Sequence, residues 1–209
     1  KDDLAGAVKM AEDGLSKYPQ SLPVQTLSLN TITTLLDKNR VEDAERLISK
    51  YPGTSPGLVF QQGALAFRKG DYPLAQSLFR EAARRASEKT AESALFNENL
   101  AALNANDAAG AAALVKEAAG SAQLREHILF EQAHYAAKRM NPQAPELLAS
   151  FVALATDPAL KTQARLDQAE VALNLNPPDL ETVQAILPPL EKEQLTPEQT
   201  MQLARLNIL

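Results

Sequence analysis

Five stretches of this chain can be written beneath one another as eleven-residue blocks, and no other feature constrains the fold as tightly. The blocks are LNTITTLLDKN from Leu29, FQQGALAFRKG from Phe60, FNENLAALNAN from Phe96, FEQAHYAAKRM from Phe130 and LDQAEVALNLN from Leu166. Column one is always Leu or Phe. Column two reads Asn30, Gln61, Asn97, Glu131, Asp167, and column four, Ile32, Gly63, Asn99, Ala133, Ala169, is mostly small. The starting points lie 31, 36, 34 and 36 residues apart. Such spacing is that of one supersecondary unit repeated with loops of slightly different length.

Each block is followed by a short polar or Pro/Gly break and then by a second apolar-periodic stretch. These second stretches are 41–50, 72–86, 108–119, 144–155 and 180–191. In the second of them Leu74, Ala75, Leu78, Phe79 and Ala82 fall on one stripe of a 3.6-residue period. Alanine is abundant and alternating β-branched residues are scarce, so helices are favoured over strands. Breaks at Tyr51-Pro52-Gly53, Gly70-Asp71, Asn106-Asp107, Asn141-Pro142 and Asn176-Pro177-Pro178 supply turn and helix-stop chemistry. The pattern predicts helix, tight turn, helix, repeated: an all-α fold.

The unit at 56–89 resembles the tetratricopeptide repeat (TPR) family. Gly63 stands at the small position of the first helix, where the second crosses closely. Gly70-Asp71-Tyr72 matches the turn, and Ala75, Phe79 and Ala82 match the small, aromatic and small positions of the second helix. Val59, Gln62 and Ala66 depart from the family's aromatic, Leu and Tyr. Elsewhere the match is thinner: Ala44, Ala111 and Ala118 fit, and Ala7, Ala11 and Pro19 look like a second helix whose first lies upstream. The resemblance implies a right-handed α-solenoid of antiparallel helical hairpins, although for the last third a HEAT-like array fits equally. Its divisions would be a single repeat domain over 1–209, with a partial hairpin at 1–20, repeats at about 22–53, 56–89, 92–121, 124–157 and 159–193, and a last helix at 196–209. The start without Met and the apolar final stretch suggest a fragment of a larger protein.

Composition narrows the chemistry. There is no Cys, which excludes disulfides, thiolate metal sites and Cys nucleophiles. With 21 Lys+Arg against 26 Asp+Glu the net charge is −5, and no basic block is present to replace the counterions of nucleic acid or of an anionic membrane. No apolar run reaches the ~20 residues a membrane helix requires. His127, Glu131 and His134 share a helix face, but histidines seven apart are separated by about 10 Å of rise, too far to share one zinc. No nucleophile elbow or phosphate loop occurs. The carboxylate pairs Glu42/Asp43 and Glu191/Glu193 lack apolar shielding. Arg84, Arg85 and Lys89 end a predicted helix, where cations favour the dipole. No enzymatic activity and no cofactor are expected.

In the TPR family the first helices line a concave groove, and the resemblance maps that face onto columns one, two, five and nine. The implied protein-binding residues are Asn30, Thr33, Phe60, Gln61, Ala64, Arg68, Phe96, Asn97, Leu100, Phe130, Glu131, His134, Asp167 and Glu170. Gln61 and Asn97 are expected outside, because amides at a repeating helix position have little reason to be buried. The Phe60, Phe96, Phe130 line fits either a groove or a core. Glu131, Asp167 and Glu170 would make the groove acidic toward the C-terminus and suit a neutral or basic ligand. The expected role is a non-enzymatic scaffold that binds a protein or peptide segment, with neither nucleic acid nor direct membrane insertion. The alternative is a spacer or self-assembly element using the solenoid ends, with Leu203 to Leu209 as its contact. The absence of Cys and of an initial Met leans toward a bacterial periplasmic or envelope protein, while an excised cytoplasmic domain explains both.

Overall fold

The structure, a computed structural model, describes residues 3–207. The expected helical continuations through Lys1-Asp2 and Ile208-Leu209 lie outside the described residues. Among those described, all regular structure is helical. In chain order the helices are α1 (Leu4–Lys17), α2 (Leu22–Asp37), α3 (Val41–Lys50), α4 (Pro56–Arg68), α5 (Tyr72–Arg85) and α6 (Glu88–Asn104), then α7 (Ala108–Glu117), α8 (Ala122–Lys138), α9 (Ala144–Leu154), α10 (Pro158–Leu173), α11 (Leu180–Leu190) and α12 (Pro197–Leu206). The five blocks fall in α2, α4, α6, α8 and α10, and the second stretches in α3, α5, α7, α9 and α11. No helix among the described residues is long and apolar enough to cross a membrane.

The helix ends explain why the period is kept. Ser55, Asp71, Ser121, Asp157, Asp179 and Thr196 each accept a hydrogen bond from a first-turn backbone N–H, which satisfies groups the helix itself leaves unpaired. The other ends share a single device at column eleven. Asn39, Gly70, Asn106 and Met140 have φ of 54°, 79°, 57° and 49°. In all four turns the column-eleven N–H bonds back to the carbonyl of column eight, and the next N–H bonds to that of column seven. This is the left-handed Schellman arrangement, which stops a helix sharply and turns the chain back. The block from Leu166 departs from it: two prolines follow Asn176, and Asp179 N–H bonds to Ala172 O in place of the shorter closure.

The chain packs as two compact units, with the boundary between Leu114 and Val115 inside α7. The repeat period runs on across that boundary. In the first unit, helices adjacent in the chain touch from α1 through α6, and so do α1 with α3, α2 with α4, and α4 with α6. One core gathers Ala11, Leu15, Ile32, Leu35, Leu47 and Leu58. A second forms where Phe79, 1% exposed, meets Ala66, Ala75 and Ala101. Burying such a ring stabilises by roughly 1.5–3 kcal/mol, and the approach it makes to α4 is close. A Cβ added to Gly63 would lie 2.9 Å from Phe79 Cδ1, so only glycine fits there without displacing the ring.

In the second unit α8 touches α9 and α10, α10 touches α9 and α11, and α12 packs on α10. Phe130, Ala133, Ala137, Leu148 and Phe151 form one core, while Leu166, Ala169, Leu187, Leu190, Leu203 and Leu206 form another. Columns four and seven are buried in all five blocks. The period therefore records which residues touch the neighbouring helices.

Some buried polar groups are bonded within their own helix and others to a neighbouring one. Ser28 and Thr31 donate to the carbonyls of Val24 and Leu27 one turn back. Fully buried Glu98 accepts from Arg80 Nε at 2.6 Å, a charge-assisted bond that offsets its desolvation.

Candidate functional site

At several junctions columns two and five, expected to face a ligand, pair with each other. Gln61 Nε2 donates to Thr33 Oγ1 at 2.8 Å, and the Thr33 hydroxyl in turn donates to Leu29 O at 3.0 Å. His134 Nδ1 lies 2.6 Å from Asp167 Oδ2. Gln202 Nε2 donates to Glu170 Oε2 at 2.8 Å. Each pair joins column five of one block, Thr33, His134 or Glu170, to column two of the next, Gln61 or Asp167, with Gln202 taking the column-two place on α12. The pairs act as rungs between successive first helices. Gln61 is 9% exposed and Asp167 1%, which corrects the expectation that both lie outside. The reason is that a helix's second column turns toward the preceding first helix, where an amide or carboxylate is tolerated because it is hydrogen-bonded.

The second unit holds the densest such network. Asp167 also accepts from Gln163 Nε2 at 3.1 Å and from Gln202 Nε2 at 3.3 Å. His134 stacks on Phe130 with ring centroids 5.4 Å apart. The hydrogen bond to Asp167 raises the His134 pKa against the opposing effect of burial. Burial likewise raises that of half-buried Glu131. Among the described residues Asp167 is the sole side-chain hydrogen-bond partner of His134. The pair ties α8 to α10. No three His, Asp or Glu side chains among the described residues converge as a metal-ligand set.

These contacts correct the acidic-groove expectation. Asp167 is enclosed, Glu170 is engaged by Gln202 and Lys138, and Phe130 is 7% exposed against Phe151 in the core. The aromatic line therefore splits: Phe130 is core, whereas Phe60 and Phe96 are half-buried. Leu203 and Leu206, expected as an end contact, are buried in the second unit, and the rest of that stretch includes Ile208 and Leu209, outside the described residues. Arg85, from the basic cluster, bonds to Glu81 and to Thr54 O.

Within the first unit the rung between α4 and α6 is missing, and a cleft opens there. Between α4 and α6 column five is Ala64, with nothing to donate or accept, and column two is Asn97, whose Nδ2 turns back to Ser93 O at 2.8 Å. The cleft has a volume of about 300 Å³ and is lined from α2 by Thr33, Leu36 and Asp37, from α4 by Phe60, Gln61, Ala64, Phe67 and Arg68, from α5 by Phe79, and from α6 by Asn97 and Leu100. Seven of the expected site residues meet in it: Thr33, Phe60, Gln61, Ala64, Arg68, Asn97 and Leu100. Asn30 is exposed, but it does not line the cleft, and neither does Phe96.

Phe67 and Leu36 are cleft residues that the columns left out. Both are column eight, which lies two turns from column one on the same helix face. The i, i+4, i+7 relation of Phe60, Ala64 and Phe67 was the available signal. Phe60 meets the buried Phe79 edge-on, centroids 5.3 Å apart, so the aromatic part of the wall is backed by the core. The short Ala64 side chain between Phe60 and Arg68 gives the cleft its depth. Column two to column nine spans about 10 Å of helix rise, with amides at one end, an apolar middle and the charges Asp37 and Arg68 at the other.

No family model, curated protein or solved structure matches this chain.

Proposed function

We propose that this chain is a non-enzymatic, TPR-like helical-repeat scaffold, and that the α2/α4/α6 cleft of its first unit receives a peptide or protein segment. The observation that carries the reading is the convergence of seven groove-column residues on one cleft where the inter-helix rung is absent. The Gly63–Phe79 approach, the Schellman turns and the contacts of each helix with its next and next-but-one neighbours support repeats of the right-handed α-solenoid type. Rigid helices hold the anchors in place, so the scaffold loses little conformational freedom when a segment binds. Aromatic and aliphatic walls beside amides suit a segment that seats one apolar side chain and pairs its backbone with Asn97.

The test is selection of a randomised peptide library on the wild-type protein, with Ala64→Leu as the counter-selecting variant. Leucine fills the cleft while leaving the helix favoured. Peptides that bind the wild type and lose at least tenfold in affinity for Ala64→Leu, with both proteins equally helical by circular dichroism, support the reading. Recovery only of peptides indifferent to Ala64→Leu refutes it.

A further inference from the structure

Resting on that reading, we infer that the segment this cleft takes carries an apolar side chain flanked by one acidic and one basic residue. The apolar requirement follows from Phe60, Phe67 and Leu100 around the small Ala64. The charge requirement follows from two groups at the same end of the cleft. Asp37, in the last turn of α2, and Arg68, in the last turn of α4, are both exposed cleft-lining residues. Among the described residues neither takes part in an ion pair or a side-chain hydrogen bond. The charges next to them in the chain are engaged. Lys69, next to Arg68, is paired with Glu45, and Arg40, beyond Asp37, with Asp43.

Arg68 also sits where a cation complements the end of the α4 dipole, which accounts for its presence but not for its side chain lining the cleft. Asp37 has the opposite sign to the one the α2 terminus favours. A carboxylate that the helix dipole disfavours, left unpaired in the same cleft as an unpaired guanidinium, is complementary to a ligand that brings both signs. A uniformly acidic segment would meet Asp37, and a uniformly basic one Arg68, so each is disfavoured at one contact.

Four synthetic peptide pools test this, each with a central Phe or Leu in Ser/Gly/Ala flanks and with the two neighbours set to Lys/Glu, Glu/Lys, Glu/Glu or Lys/Lys. Binding is read by fluorescence polarisation in low salt. One of the two mixed-charge pools is expected to bind wild type about fivefold tighter than either like-charge pool, the size expected of one exposed ion pair. Arg68→Glu should shift the preference to the Lys/Lys pool and Asp37→Lys to the Glu/Glu pool, both variants keeping wild-type helicity because both side chains are exposed. Equal binding of all pools, or a preference unmoved by either reversal, overturns the inference. If all four pools bind equally and Ala64→Leu abolishes that binding, the cleft reading stands and the charge pattern alone fails. Absence of binding by every pool refutes both.

Discussion

Met140→Gly should stabilise the protein, because of the four left-handed column-eleven residues Met140 has the side chain least suited to its backbone. Its φ is 49°, a conformation that places a Cβ against the following carbonyl oxygen and costs an ordinary residue roughly 1–2 kcal/mol. Glycine removes that strain. The gain is offset by the freer unfolded chain, about 0.4–1 kcal/mol. Little packing is lost, since Met140 is 46% exposed. Its backbone bonds, Met140 N–H to Ala137 O and Asn141 N–H to Ala136 O, both 2.9 Å, require only the main chain and persist in the variant. The net is about +0.5–1 kcal/mol, which for a unit of this size corresponds to a rise of roughly 2–8 °C in the melting of the second unit. Differential scanning calorimetry reads the shift, and amide exchange of α8 and α9 locates it. The converse substitution is Gly70→Ala, at φ 79° with no atom within 4 Å of the added Cβ, so its loss of about 1 kcal/mol has to come from the backbone alone. A Met140→Gly protein that melts at or below wild type, together with a neutral Gly70→Ala, would refute the strain argument.

Three further outcomes follow from the same geometry. Gly63→Ala pushes a methyl to within 2.9 Å of Phe79 Cδ1 and should destabilise the first unit by roughly 1–3 kcal/mol in urea titration; a neutral result would mean that α5 yields freely. Asp107→Ala removes acceptors for Gly110 N–H and Gln76 Nε2, each at 2.9 Å, and should cost about 1 kcal/mol as a lost helix cap, read as a lower urea midpoint. The raised His134 pKa means that the folded state holds this proton more firmly than the unfolded chain. Its stabilisation is complete below the ordinary histidine value of about 6.5 and is lost as pH rises through the higher folded value. Glu131, also raised, acts with the same sign at lower pH. Amide exchange in α8 and α10 should therefore quicken above pH 6.5 beyond its intrinsic base catalysis, and His134→Gln should flatten that dependence; an unchanged slope would assign it to other groups.

The helices were legible in the sequence because their periodicity is that of the contacts themselves. Columns four and seven point at neighbouring helices, so selection for burial leaves a mark that stacking the blocks exposes. Turn positions were legible for a related reason: column eleven needs a left-handed residue, and Asn and Gly dominate it. Met140 shows that tertiary context overrides the preference where the stop is already set by the surrounding bonds. The binding face was harder to read. A polar residue at a fixed helical position looks the same whether it meets solvent or the next helix, so Gln61 and Asp167 read as exposed when they are rungs. Only the partner's position, 28 residues away for Gln61 and Thr33 and 33 for Asp167 and His134, distinguishes the two. Phe60 and Phe130 occupy the same column and each meets a Phe of the following second helix, yet Phe130 is buried and Phe60 only half-buried.

Because each rung joins unlike residues on successive repeats, the modules are not interchangeable. A tandem duplication of 159–193 would set Glu170 of the first copy against Asp167 of the second, two carboxylates where one amide or imidazole now stands, and the junction would be repelled. Following Thr33 with the Asp167 repeat would keep a donor and an acceptor, so that recombinant would tolerate the exchange. Where a rung is present, serial order is thus constrained by which side chain each copy presents to its neighbour, whereas the α4/α6 junction, which has none, imposes no such constraint.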